Sequence, residues 1–282
     1  MSYPLSRNIA RRSNSSFLFA FTLLPQRKRE AMNVIYAFCR LTDDIVDDPE
    51  ASDDKKRERL ETWKDEVERA FDGPPPTDFL KELRSVVLRF KIPRDPFFEL
   101  IRGMEMDLNR RRYNNFDDLC LYCYRAASTV GLMSAPVFGY RRDTTLHFAI
   151  DLGIALQLTN ILRDVKQDAE NGRIYLPLDE MKAHDYSEED LFAFTYNDNF
   201  RALMKFEVER AKRYYNAADD ALHPDDVKSM YPARAMRDIY RDLLGQIEAA
   251  DYNVFSDRFR VPGGRKLSIA FRYFMNATIR GK

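Results

Sequence analysis

Apolar residues recur every three to four positions along almost the whole chain, the spacing of amphipathic or buried helices. This pattern predicts helices over about 14–24, 26–48, 53–71, 77–90, 94–110, 115–139, 143–169, 187–195, 197–221, 228–252 and 264–280. No segment alternates apolar and polar residues cleanly over five positions, so no strand is expected. The breaks have chemical causes. Pro25 opens one helix and Pro49 follows its end, while Pro93 and Pro224 are further stops. The run from Gly172 to Pro177 ends the long helix before it. Gly73-Pro74-Pro75-Pro76 reads as a stiff loop within one domain, because the helices on either side are too few to bury a core alone. The expectation is an all-α single domain over residues 1–282, built from about ten helices.

Composition supports this picture. Only 10 glycines are present, too few for a turn-rich β architecture. The 20 Phe and 15 Tyr exceed what an ordinary core needs and suggest an aromatic-lined space. Lys and Arg number 45 against 45 Asp and Glu, which argues against nucleic acid or a strongly anionic surface as the main partner. Three cysteines, Cys39, Cys120 and Cys123, suit reduced thiols in a cytoplasmic protein rather than a disulfide framework. Cys120 and Cys123 form a CxxC without the second ligand pair of a structural zinc site. The longest apolar run, 17–24, is too short to span a membrane. The first 29 residues contain no acid, a composition similar to a transit peptide.

Two polar stripes change the reading from fold to chemistry. Tyr36, Arg40, Asp43 and Asp47 step by four, three and four, so they share one face of a helix. Gln157, Asn160, Asp164 and Asp168 repeat the arrangement about 120 residues later, with Arg163 alongside. Carboxylates four apart repel unless a cation neutralises them. Each stripe is embedded in apolar sequence (34–38 and 154–156), which points it into a wall rather than into solvent. Hard oxygen ligands without histidine suit Mg²⁺, which keeps several waters and bridges carboxylates to substrate phosphates. Two facing pairs with a diphosphate between them could draw off pyrophosphate, while aromatic walls shelter a carbocation from water.

These residues identify the chain as resembling the squalene/phytoene synthase family of head-to-head prenyl diphosphate synthases. The resemblance runs from about Ser13 to Leu267. Its strongest segments are Tyr36 to Asp48 and Gln157 to Asp168 followed by Gly172 to Pro177. Supporting segments are Ser15 to Phe17, Gly103 to Leu108, Tyr122 to Gly131 and Pro232 to Tyr240. It implies the isoprenoid synthase fold around a central cavity. It further implies Mg²⁺ on Asp43, Asp47, Asn160, Asp164 and Asp168. Ser16, Tyr36, Arg40 and Arg163 would lie on diphosphate, and Phe17 and Gln157 beside the reacting carbons. Tyr122 and Tyr240 match tyrosines that steady cations or the departing diphosphate, and Arg258 is the candidate for a C-terminal arginine on phosphate. Ser128 stands where many members carry Gly, which would narrow the cavity.

The implied reaction condenses two prenyl diphosphates through a cyclopropyl diphosphate, with release of diphosphate. The compact length and the Ser13-to-Phe17 pattern favour farnesyl diphosphate and a squalene-type C30 product, with phytoene from two geranylgeranyl diphosphates as the alternative. NADPH is expected only for a reduced squalene product, and contact with a membrane would be peripheral. An ordinary terpene synthase or head-to-tail prenyltransferase would share paired acidic helices but not the contexts of 161–164 and 172–177. A family-like assembly factor without catalysis would have no use for intact carboxylate pairs.

Overall fold

The computed structural model describes residues 3–12, 16–256 and 259–279, without the side chains of 11, 12, 16–18 and 279. In chain order the helices are α1 (Pro4–Arg12), α2 (Ser16–Phe21), α3 (Gln26–Asp47), α4 (Asp53–Asp72), α5 (Asp78–Phe90), α6 (Asp95–Asn109), α7 (Phe116–Cys123), α8 (Thr129–Phe138), α9 (Thr144–Glu170), α10 (Leu178–Ala183), α11 (Glu188–Phe192), α12 (Asp198–Ala221), α13 (Tyr231–Ala249) and α14 (Gly263–Ile279). Among the described residues there is no strand, and one parallel bridge joins Arg112 to Ile174.

Local chemistry starts several helices. Ser52, Thr77, Asn115 and Asn197 each accept a hydrogen bond from the backbone N–H three residues on, which satisfies a donor left free at a helix start. Ser187 and Asp190 close a reciprocal capping pair at α11.

Helix α9 is the centre. It packs against α12, α8 and α13, and buries residues on most of its circumference. Its length and apolar character would allow a membrane crossing by composition, yet 61% of that apolar window is buried inside the protein. Two glycines let α9 approach its neighbours. A Cβ on Gly153 would lie 2.4 Å from the Ser128 Cα, and one on Gly131 would lie 2.7 Å from the Ala149 carbonyl oxygen.

The expected single helix over 115–139 is instead α7, a π-helical turn at Tyr124–Ser128, and α8. The extra residue of a π turn shifts every later side chain around the axis. Ser128 consequently faces α9, fully buried, and its hydroxyl donates to the Ile150 carbonyl at 2.7 Å. It does not narrow the cavity described below, as the sequence suggested. Helices α1 and α10 are the elements that the apolar spacing did not reveal.

Candidate functional site

Helix α3 presents Tyr36, Arg40, Asp43 and Asp47 on one face, with Ala37, Phe38 and Val46 buried on the others. Thr42 fixes its orientation: its hydroxyl donates to the Phe38 carbonyl at 2.8 Å and accepts from the Trp63 indole at 3.0 Å. The outer acids have partners, Asp44 with Arg40 at 2.5 Å and Asp48 with Arg59 at 2.6 Å. Arg40 therefore spans the outer side of the stripe. Burial, and then the charges of Asp47, Asp107 and Asp44, push the Asp43 carboxyl up to about 7 despite Arg40.

The α9 stripe is built alike. The Arg163 guanidinium grips Asp164 with two donors, Nε reaching Oδ1 at 2.8 Å. Burial and then Asp164 push Asp168 up to about 7, against Arg173 and Arg163. The Asn160 Oδ1 atom is buried and has no hydrogen-bond partner among the described residues, while Nδ2 reaches Gln157 Oε1 at 3.5 Å. Tyr240 of α13 lies in the fields of Arg163 and Asp164, and its phenol is raised by burial.

Three residues that the stripe argument passed over join the two helices. The chain at 111–114 pairs with the loop after α9: Ile174 N–H donates to the Arg111 carbonyl and Leu178 N–H to the Tyr113 carbonyl, both at 2.9 Å. This pairing brings Arg173 and Tyr175 to Asp107 of α6. Asp107 accepts from Tyr122 at 2.9 Å and from Tyr175 at 2.8 Å. Arg173 lies in the fields of Asp107 and Asp47, and it also lowers Asp168. Both stripes therefore share one electrostatic centre. The only sequence signal for Asp107, Arg173 and Tyr175 was membership of the quoted motifs.

An apolar cavity of about 60 Å³ lies among α2, α8, α9 and α13. Gly131, Ala135, Ala149, Gly153 and Ala233 are the small residues of its lining, and Phe21 and Phe138, their rings 5.8 Å apart, lie at its wall. Leu156 and Gly153 line it, and Gln157 accepts from the Asn160 amide at 3.5 Å. Arg163 and Asp164 also border a polar cleft with Lys166, Gln167 and residues 254–256. Burial, Arg163 and Arg260 lower the Lys266 ammonium, which places basic groups from the C-terminal segment near the α9 stripe. The expected roles of Ser16, Phe17 and Arg258 fall on side chains outside the described residues.

The donor set fits a hard divalent cation. Burial, and then a neighbouring carboxylate, lift Asp43 and Asp168 to about 7, and the Asn160 oxygen is buried without a donor. Among the described residues no three acidic, His or Cys groups converge on a single point. The acids stand as two pairs, one on α3 and one on α9.

Residues 10–265 match the family model described as squalene/phytoene synthase. The chain belongs to the squalene/phytoene synthase family. As a member it is a prenyltransferase of the head-to-head class, acting on prenyl diphosphates. It is 42% identical to phytoene synthase of Arthrospira platensis, over 94% of this chain and 90% of that protein. It is 39% identical to 15-cis-phytoene synthase of Synechococcus elongatus, over 98% and 94%. Among solved structures, a dehydrosqualene synthase superposes with a TM-score of 0.84 at 27% identity, covering 99% of this chain and 96% of that one. A squalene synthase of Alicyclobacillus acidocaldarius gives 0.81 at 25% identity, over 89% and 94%.

Proposed function

We propose that this chain, acting as one domain, condenses two molecules of geranylgeranyl diphosphate head to head into phytoene. This reverses the preference for farnesyl diphosphate drawn from length and the Ser13-to-Phe17 pattern. The observation that supports it most is identity of 39–42% to proteins named phytoene synthase over nearly the whole chain. The two acidic pairs, coupled through Asp107, and the apolar cavity lined by the N-terminal half of α9 support the reaction class.

In this reading Asp43, Asp47, Asn160, Asp164 and Asp168 hold Mg²⁺. When bound, Mg²⁺ supplies the positive charge that lets diphosphate depart from an allylic carbon. Arg40, Arg163, Tyr36, Ser16 and Arg258 orient diphosphate oxygens, and Tyr122 and Tyr240 stand at the reacting centre. The first allylic C–O bond breaks with both electrons leaving on diphosphate. The double bond of the second prenyl diphosphate attacks the cation, and loss of a proton closes a cyclopropane. Departure of the second diphosphate and rearrangement then lead, after a further proton loss, to the C40 hydrocarbon. No reduction occurs, so NADPH has no step to supply. The apolar walls exclude the water that would capture either cation.

The test is incubation of purified protein with Mg²⁺ and either prenyl diphosphate, with and without NADPH, reading lipid products and released pyrophosphate. Phytoene from geranylgeranyl diphosphate, independent of NADPH, is expected. Turnover of farnesyl diphosphate alone would overturn the C20 assignment, and turnover of neither would overturn the reaction.

A further inference from the structure

The pairing of residues 111–114 with the loop after α9 brings Arg173 and Tyr175 to Asp107, and a buried ionic cluster closes its far end. Leu178 and Asp179, the first residues of α10, donate their N–H groups to the Tyr113 and Asn114 carbonyls at 2.9 and 3.1 Å. Glu180, the next residue, accepts from Arg210 of α12 at 2.7 Å. Phe116, just beyond Asn114, lies 3.9 Å from the same guanidinium, and Phe206 adds a second ring at 4.9 Å. Arg210 thus touches the chain beyond both paired segments. Glu207, one turn earlier on α12, accepts from that guanidinium at 2.7 and 2.9 Å and is 2% exposed. One cation therefore faces two carboxyls. A hydrogen bond joins the carboxyls, which requires a proton on one of them. Burial, and then that bond, lift Glu207 to about 8 against Arg210. Glu180 is lowered, its burial being outweighed by the bonds from Arg210 and Glu207. Among other groups, α10 turns His184 toward Glu180, and α7 places the Cys123 thiol in the field of Glu207. Among the described residues α9 and α13 send no hydrogen bond or ion pair to either carboxyl. With the shared proton in place the cluster carries one charge of each sign; without it, a net negative charge is buried.

We propose that Glu180, Arg210 and Glu207 form a proton-dependent latch that holds α10, and through it the loop bearing Arg173 and Tyr175, in place at Asp107. The three are positioning residues, since they reach the reaction only through that loop. Release of α10 exposes Glu180 and separates the carboxyls, so the open state gives up the proton that the closed state holds. Opening therefore becomes easier as pH rises from about 4.5 toward about 8, by at most about tenfold per pH unit, and levels above that window. Only the effect on turnover rests on the head-to-head reading above; the opening itself does not.

The experiment is amide hydrogen exchange of residues 174–186 in wild type and in Glu207→Gln, whose amide has the shape of the protonated acid and never ionises. The ratio of the two rates at each pH cancels both the base catalysis of exchange and the titration of His184. It should rise at least about tenfold between about pH 5.5 and 8 and then level. Exchange of the buried α9 amides should stay at least about tenfold slower than that of 174–186 at every pH, which marks the opening as local. Should Glu207→Gln fail to fold, Glu180→Gln is the reference, because one guanidinium then faces one carboxyl with no proton to share. Wild-type turnover is measured first, so that failure of the head-to-head reading shows there. Glu180→Ala should then speed exchange of 174–186 at every pH and lower kcat at least about fivefold, and Glu180→Gln, which still accepts from Arg210, should restore both to within about twofold of wild type. A ratio that stays flat from about pH 5.5 to 8, α9 amides exchanging as fast as 174–186, or full turnover in Glu180→Ala with α10 open would each overturn the proposal.

Discussion

Asp43→Asn isolates the electrostatic strain of the metal-free site. In the folded chain, burial and then Asp47 lift the Asp43 carboxyl from 3.8 to about 7. The native state therefore keeps a proton that the unfolded state has already released. Stability of the metal-free protein falls as pH rises from 3.8 to about 7 and stays low above that window. A rise of about three units, at roughly 1.4 kcal/mol each, sets a ceiling of about 4 kcal/mol. Water reaching this half-buried carboxyl reduces the effect to roughly 1–2 kcal/mol. Asn has the shape of the protonated acid and never ionises. At pH 8 in EDTA, Asp43→Asn should therefore melt higher than wild type by about 3–6 °C. At pH 5 the gap should narrow, since folded Asp43 is then protonated and only the unfolded chain has released its proton; the two should coincide below about pH 3.8. Saturating Mg²⁺ should narrow or reverse the order at pH 8, raising the wild type by mass action more than the variant, which lacks one ligand. Calorimetry at both pH values, with EDTA or Mg²⁺, reads all four states. An Asn variant that melts at or below wild type at pH 8 in EDTA would refute the reasoning, because Asp43 would then bear no strain from its neighbours.

Three further outcomes follow from the same geometry. Asp47→Ala and Asp164→Ala should each lower turnover at least about 100-fold while leaving the far-ultraviolet circular dichroism unchanged, since each removes one member of a proposed metal pair; near-wild-type activity in either would remove that residue from the assignment. Gly153→Ala should destabilise by about 1–3 kcal/mol in urea, because its Cβ would press on the Ser128 backbone 2.4 Å away; an unchanged midpoint would mean that α9 can retreat freely. Arg210→Ala should cost about 1–3 kcal/mol, as it removes a buried donor from Glu207, which is 2% exposed, bonded by Arg210 at 2.7 Å and lifted by burial to about 8; an unchanged midpoint would show that the protonated Glu207 needs no donor.

Much of the site was readable without coordinates because its chemistry is local. Asp43 with Asp47, and Asp164 with Asp168, are four apart, and a helix of 3.6 residues per turn puts such pairs on one face whatever surrounds them. The pairing of Arg40 with Asp44 follows the same spacing. Boundaries marked by proline were legible for the same reason, as at Pro25. The π-helical turn was not. Its apolar spacing differs from that of an α-helix by one residue in five, and the close approach of Gly153 that accompanies it comes from a helix distant in sequence. Helix α10 is only six residues long, shorter than two turns, so no periodicity can declare it.

The sequence by itself determined the helical class, the two carboxylate pairs with their arginines, and through its motifs the reaction family. Tertiary structure decided what stands between the pairs. Asp107, Tyr122, Arg173 and Tyr175 come from α6, α7 and the loop after α9, and they meet because the 111–114 segment pairs with residues 174–178. Helical periodicity relates residues within one turn of each other. It carries no information about which distant segment supplies a buried carboxylate with its donors. The hydrogen bonds that Asp107 accepts from Tyr122 and Tyr175 are therefore a property of the folded chain alone.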